Sequence, residues 1–313
     1  EDSVWLCPAW DERQLTDSGY PRQVWLMRRG QSLAEATPVY EMAADGVMVN
    51  AWRYLDAQGA PLDLVEANTS FFHKDYFYVN AQNEAVPLAL PGDSEVVGYL
   101  AGQLLLHLKS DWQRSKQKYG AGCLLAVKLN KGELGEAQCL FAPNPQQALE
   151  LIETTRKFVI ASLLDNVSGS LKAWKWEHGV WTEQALPVFP KGAIELADQP
   201  WGGDTVHLAA SDFVTPLTLY SLDLNVMELT VLRKQPAQFN AQGIDVQQRF
   251  AESADGTRIP YYWVGKQKSP DTPTLVYCYG GFDVPELPHY MGTIGKHWLE
   301  RGGAFVLANI RGG

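Results

Sequence analysis

The side chains best suited to chemistry lie near the end of the chain, in Tyr277-Cys-Tyr-Gly-Gly-Phe282. Alternation along a strand would put Tyr277 and Tyr279 on one face and Cys278 on the other. A tyrosine at the last strand position can aim its hydroxyl into a crevice and donate to a developing oxyanion. Gly280 and Gly281 would let a substrate approach the backbone closely. The same residues also fit a plainer role, with the aromatics filling a sheet core and the glycines making its turn. On the residues alone both readings stay open.

Other chemistry finds little support. A serine nucleophile on a strand-to-helix turn would be marked by Gly-x-Ser-x-Gly, and the 313 residues contain no such pentapeptide. The six histidines (His73, His107, His178, His207, His289, His297) show no i, i+4 pairing and read as surface or half-buried residues. No phosphate-binding glycine loop follows a strand, and no cofactor is expected. The cysteines (Cys7, Cys123, Cys139, Cys278) lack a C-x-x-C spacing, so neither a zinc site nor a redox pair is suggested. They read as free buried thiols, which leans toward a cytoplasmic location, with a periplasmic or secreted one as the alternative. With 26 basic and 36 acidic residues the formal charge is −10, and no basic cluster stands out, so a nucleic-acid partner is not expected. The longest nearly apolar stretch, Val96–Leu108, is interrupted and too short to cross a bilayer, so no membrane role is expected.

The elements that must position the tyrosines are two apolar runs, Thr274–Phe282 and Ala304–Gly313, each stopping at a glycine pair. They read as buried strands of an α/β sheet. Between them, Gly292–Arg301 places Ile294, Trp298 and Leu299 at helical spacing and stops at Gly302-Gly303. Strand, helix, strand is the start of a doubly wound sheet, whose ligands sit beyond the carboxyl ends of its strands. Tyr279 falls at such an end. Upstream, Asp245–Glu252 and Thr257–Val264 read as a hairpin around the turn Ser253-Ala-Asp-Gly256, followed by a connecting loop, Lys266–Thr272.

From residue 1 to about 240 the pattern is short strands punctuated by Gly, Pro, Asp and Asn, among them Val24–Met27, Val47–Tyr54, Glu95–Leu100, Gln103–Leu108, Cys123–Lys128, Lys157–Leu164, Leu171–Trp176, Thr205–Ala210 and Leu217–Leu222, which predicts an all-β region. Asp17–Met27 aligns with Asp212–Leu222 without a gap, and Asp56, Asp111 and Asp165 also stand beside turns and strands. A recurrence near 50 residues with about four strands each is the mark of β-propeller blades. The five aspartates are expected to accept backbone N–H bonds in turns between blade strands. The fold expected is thus mainly β with α/β: a partial β-propeller of about five blades over residues 1–240, then the first strands of an α/β domain over 241–313.

Three segments carry a resemblance. Ser253-Ala-Asp-Gly-Thr-Arg-Ile-Pro260, Tyr277-Cys-Tyr-Gly-Gly-Phe282 and Ala308-Asn-Ile-Arg-Gly-Gly313 are similar, in sequence and in spacing, to motifs of the prolyl oligopeptidase family. The resemblance implies a seven-bladed propeller joined to an α/β-hydrolase domain. It implies that Tyr279 is the oxyanion-hole tyrosine and that Phe282 lines the pocket for proline. Tyr277, Gly280, Gly281, Asn309 and Arg311 would support them. Cys278 departs from the family, which usually has glycine there. Phe282 and Asn309-Ile310 favour proline over the basic specificity of the related oligopeptidase B, since a flat apolar ring suits a pyrrolidine.

The resemblance further implies a serine peptidase of short proline-containing peptides, with the propeller gating access and the protein acting as a monomer. The family's Ser, Asp and His fall beyond the point matching Gly313, so the chain is expected to be an internal fragment, inactive by itself. The alternatives are a propeller that only binds protein or peptide beside a non-catalytic hydrolase domain, and an oligopeptidase with basic-residue specificity.

Overall fold

The computed structural model describes residues 2–56, 59–189, 192–197, 202–266, 269–282 and 284–312. Among the described residues five successive antiparallel sheets occupy the chain up to Lys234, with a two-stranded hairpin, Trp112–Arg114 and Gln117–Tyr119, inserted in the third. The first has three strands, Ser3–Leu6, Gln23–Arg28 and Thr37–Glu41. The other four have four each: Met48–Leu55 to Ala85–Pro87, Glu95–Leu100 to Glu133–Phe141, Gln147–Thr154 to Val180–Gln184, and Ala193–Leu196 to Glu228–Lys234. Each is a simple up-and-down meander, the arrangement of propeller blades. The strands expected from the sequence recur within a few residues of their predicted ends; Glu95–Leu100 and Asp245–Glu252 coincide with them.

The gap-free internal match has a structural meaning. The strands Gln23–Arg28 and Thr218–Asp223 each begin six residues after their aspartate, Asp17 or Asp212 (23 − 17 = 218 − 212 = 6). Asp212 does the expected work: its carboxylate accepts from the Val214 and Thr215 N–H groups at 2.8 and 2.5 Å, and from the Thr215 hydroxyl at 3.0 Å. Asp56 and Asp111 likewise accept the N–H groups of Ala60 and Ala121. Asp165 differs, since its carboxylate takes the side-chain amides of Gln147 and Asn166. At Asp17 the bond is made by its own N–H, to Ala44 O. The spacing was uneven because Asp56 closes the turn from first to second strand of its sheet, whereas Asp111, Asp165 and Asp212 follow the second strand.

The chain divides into two compact units, Glu1–Pro143 with Trp176–Thr182, and Asn144–Lys175 with Glu183–Gly313. In the first unit the central strands Gln103–His107 and Leu124–Asn130 bury Leu104, Leu105, Leu106, Leu124 and Leu125 completely. Fully burying an aliphatic side chain of this size contributes about 1.5–3 kcal/mol. His107 is buried among them, 3.3 Å from Lys109 Nζ and 3.8 Å from Glu95 Oε2. Burial first, and the Lys109 charge second, pull its pKa down to about 4, with Glu95 opposing.

A depressed histidine stays neutral in the folded protein while the unfolded chain protonates near pH 6.5. Its contribution is therefore complete above pH 6.5 and is lost as the pH falls towards 4, by at most about 3 kcal/mol. Thermal unfolding followed from pH 7.5 to 4.5 should show a steeper acid-side fall in Tm for the natural protein than for His107→Gln. Parallel curves would exclude this origin.

In the second unit a mixed sheet follows the antiparallel ones, in the order Asp245–Glu252, Arg258–Gly265, Ala304–Ala308, Thr274–Cys278. The last two strands are parallel, Thr274 facing Ala304 and Cys278 facing Ala308. A helical turn, Gly292–Ile294, runs into a π-helical turn, Gly295–Leu299, between them. The expected stop is made by Gly302, at φ +91°, whose N–H bonds to Leu299 O while that of Gly303 bonds to Trp298 O. The core of this region joins Phe213, Phe239, Tyr262, Val264, Leu299, Phe305 and Leu307.

Within this chain the two strands read as buried differ. Ala304–Ala308 is largely buried and pairs on both sides, whereas Thr274–Cys278 is outermost among the described strands, pairs on one side only and is exposed.

Candidate functional site

The three motif segments meet at one end of the mixed sheet. Parallel pairing carries Tyr279-Gly280-Gly281 and Asn309-Ile310-Arg311 past the carboxyl ends of adjacent strands. There the two turns touch. A Cβ added to Gly280 would run into the Arg311 carbonyl oxygen and come within 2.9 Å of Ile310 Cγ1. Gly312, at φ +87°, presses in turn on the Gly280 carbonyl. Glycine at 280 is therefore required by proximity, and at 312 by both proximity and conformation.

Side chains tie the same end together. The Arg311 guanidinium pairs with the Asp255 carboxylate in the hairpin turn Ser253–Gly256. The Thr257 N–H also donates to Asp255. That bond first, with the Arg311 donors behind it, holds the Asp255 pKa near 2. Asn309 is buried, and its amide pairs with both backbone groups of one residue, Glu286. Its Oδ1 accepts from the Glu286 N–H at 2.9 Å and its Nδ2 donates to the Glu286 carbonyl at 3.0 Å. Its own N–H bonds to Pro260 O. Asn309→Ala should leave the Glu286 N–H and carbonyl without these partners and cost about 1–3 kcal/mol, read as a drop in Tm. A Tm within 1 °C or so of the natural protein would show that solvent replaces the pair.

Tyr279 lies 40% exposed, its hydroxyl folded back over the next turn; a Cβ on Gly281 would stand 2.7 Å from it. The side chain is thus partly exposed, and a side chain at 281 would crowd its hydroxyl. Tyr277 is 48% exposed within this chain. Phe282 is 93% exposed and has φ +56°, an unusual conformation for a bulky residue. Asp283 and Gly313, which border the two motifs, lie outside the described residues, as do residues 267 and 268 of the connecting loop.

What the sequence missed is the Asp255–Arg311 pair, 56 positions apart, which joins two of the motifs. Each residue stood in a quoted motif, but nothing in a single sequence links them. The cysteines need two corrections. All four are free, yet Cys139 and Cys278 are exposed. The pairing of Leu124–Asn130 with Glu133–Phe141 also brings the Cys139 thiol within hydrogen-bonding reach of Cys123, without any C-x-x-C spacing. Burial chiefly, then Cys123, pushes the Cys139 thiol up to about 11, so neither geometry nor charge favours the thiolate.

Known proteins resemble the chain over its whole length. The family model described as "Prolyl oligopeptidase, N-terminal beta-propeller domain" matches residues 7–235. The "Uncharacterized peptidase y4nA" of Sinorhizobium fredii is 30% identical over 325 aligned residues, covering all of this chain and 45% of that protein. A prolyl endopeptidase of Elizabethkingia meningoseptica is 32% identical over 111 residues, 34% of this chain and 16% of its own. The solved structure of a post-proline cleaving enzyme from Rickettsia typhi superposes with a TM-score of 0.83 at 25% identity, covering 100% of this chain and 47% of that one. The chain spans about half the length of the relatives it matches end to end.

Proposed function

The chain belongs to the prolyl oligopeptidase family, and from that premise we propose that the whole protein is a serine peptidase cleaving short peptides after proline. In this reading residues 1–240 are propeller, and 241–313 open an α/β-hydrolase domain whose Ser, Asp and His lie outside the chain. The observation that carries it is the meeting of Tyr279 and its glycine turn with Asn309–Gly312 beyond the carboxyl ends of two parallel strands. Open α/β sheets take their ligands at that edge.

The chemistry follows from the parts. The serine hydroxyl attacks the carbonyl carbon of the proline residue while histidine takes the hydroxyl proton, and negative charge gathers on the carbonyl oxygen. The exposed Tyr279 hydroxyl donates to that oxygen beside a backbone N–H. Asn309 and the Arg311–Asp255 pair hold the two turns in register, so that the donor is in place before the charge forms. Phe282, free of contacts that would fix it inward, supplies an apolar ring for the proline side of the substrate.

The full-length protein, assayed on a peptide amide cleaved after proline and on one cleaved after arginine, tests this. Hydrolysis after proline, abolished by an organophosphate serine reagent, is the expected result. Preference for the arginine peptide would overturn the proline assignment. No serine-dependent hydrolysis of either would leave a propeller that binds without cleaving.

A further inference from the structure

The strands Phe158–Asp165 and Ser168–Glu177 are joined by only two residues, Asn166 and Val167, with Asp165 facing Ser168 across the loop. Both loop residues are left-handed, Asn166 at φ +47° and Val167 at φ +61°. A hairpin loop of this kind needs positive φ at both places, and Asn-Gly is the pair that meets the need without strain. Asn166 complies. Val167 does not, because its branched Cβ crowds the backbone in that conformation. Such strain persists only where surrounding contacts over-determine the residue, and it gathers at functional sites.

The contacts that hold the loop come largely from the mixed sheet. The Val167 side chain packs against the cluster containing Phe213, Tyr262 and Leu307. Its carbonyl accepts the Tyr262 hydroxyl at 3.2 Å, and the Asn166 carbonyl accepts from the Gln248 side-chain amide. Gln248 and Tyr262 face each other across the strands Asp245–Glu252 and Arg258–Gly265, so one rung of this hairpin grips two successive carbonyls. Tyr262 is buried, its ring against Phe213 with centroids 5.3 Å apart. From there the path to the candidate site is short. Tyr262 faces Leu307 and Tyr261 faces Ala308, and the Pro260 carbonyl accepts the Asn309 N–H at 3.0 Å. The turn of the same hairpin carries Asp255, which holds Arg311. Gripped at Gln248 and Tyr262, the hairpin fixes where residues 309–312 stand, and with them Gly280, the neighbour of Tyr279.

We propose that Val167 and Tyr262 are positioning residues for the candidate site, Val167 acting from an antiparallel sheet outside it. This role rests on the peptidase reading and adds to it a support that no motif of the site contains. Tyr262→Phe removes one oxygen and keeps the ring against Phe213. In the full-length protein it should lower kcat on the post-proline peptide about three- to tenfold, with KM within about twofold, since small misplacements act on the reacting geometry. Val167→Gly is the sharper variant, because glycine suits the loop better than valine does. A residue serving only its own hairpin would lose nothing by that change. We expect Tm to hold within about 2 °C, the strain released offsetting the packing given up, while kcat falls about threefold or more. Amide exchange reads the same joint without catalysis. In Tyr262→Phe the Asn309 N–H should exchange about tenfold faster, while the amides of Thr205–Ser211 keep their natural rates. If the natural full-length protein cleaves neither the proline nor the arginine peptide, the peptidase reading fails, and exchange at Asn309 alone decides the joint. Unaltered exchange there, a natural kcat in either variant, or a loss carried wholly by KM would overturn the proposal.

Discussion

Replacing Tyr279 with Phe in the full-length protein is expected to lower kcat on a post-proline peptide by about 10- to 10³-fold, with KM changed only a few-fold. The range is that for loss of one oxyanion donor. The split between the two constants follows from when the bond forms. A hydroxyl that meets charge only as the tetrahedral species develops contributes to the transition state and not to the bound substrate. The local geometry makes the substitution clean. The ring is 40% exposed and its hydroxyl lies over Gly281, so removing one oxygen disturbs no core packing. Tm should therefore stay where it was. An unchanged kcat would remove Tyr279 from the proposed role, and a loss carried wholly by KM would recast it as a substrate-binding residue.

Gly280→Ala should be the more disruptive change, because it acts on the joint between the two turns. The added methyl has the Arg311 carbonyl oxygen in its way and Ile310 Cγ1 at 2.9 Å. Backbone atoms cannot swing aside as a long side chain can, so the turns must separate. Overpacking of this kind costs about 1–3 kcal/mol. Separation would also move Tyr279, the next residue, off its target, and misplacement by about 1 Å can cost roughly 10²-fold in rate. We expect Gly280→Ala to lose both stability and at least as much kcat as Tyr279→Phe. Crystallographic or exchange measurements should locate the change at residues 279–281 and 309–312. A variant with natural Tm and kcat would show that the two turns need not touch for catalysis.

Much of the architecture was legible in the sequence because it is local. Alternating apolar residues fix a strand and its two faces, and Gly, Asn and Asp fix the turns, so Glu95–Leu100 and Asp245–Glu252 could be read directly. The gap-free match of Asp17–Met27 with Asp212–Leu222 was legible for the same reason: two strands of one kind follow two turns of one kind. The aspartates themselves were less uniform than their recurrence suggested. A carboxylate beside a turn can satisfy itself with backbone at Asp212 or with side chains at Asp165, and neighbours remote in sequence decide which.

By itself the sequence determined the order of strands, the repeat, and the three motifs whose resemblance led to the prolyl oligopeptidase family. Which face of Thr274–Cys278 meets solvent, which glycine must remain a glycine, and which partner Arg311 takes were decided only by tertiary structure. The reason is physical. Residue type and short-range period dictate backbone conformation, but burial and pairing depend on what the rest of the chain lays alongside. Within this chain two strands of like composition, Thr274–Cys278 and Ala304–Ala308, pair on one side and on both, and their exposure follows the pairing. The same dependence joined Asp255 to Arg311 across 56 positions.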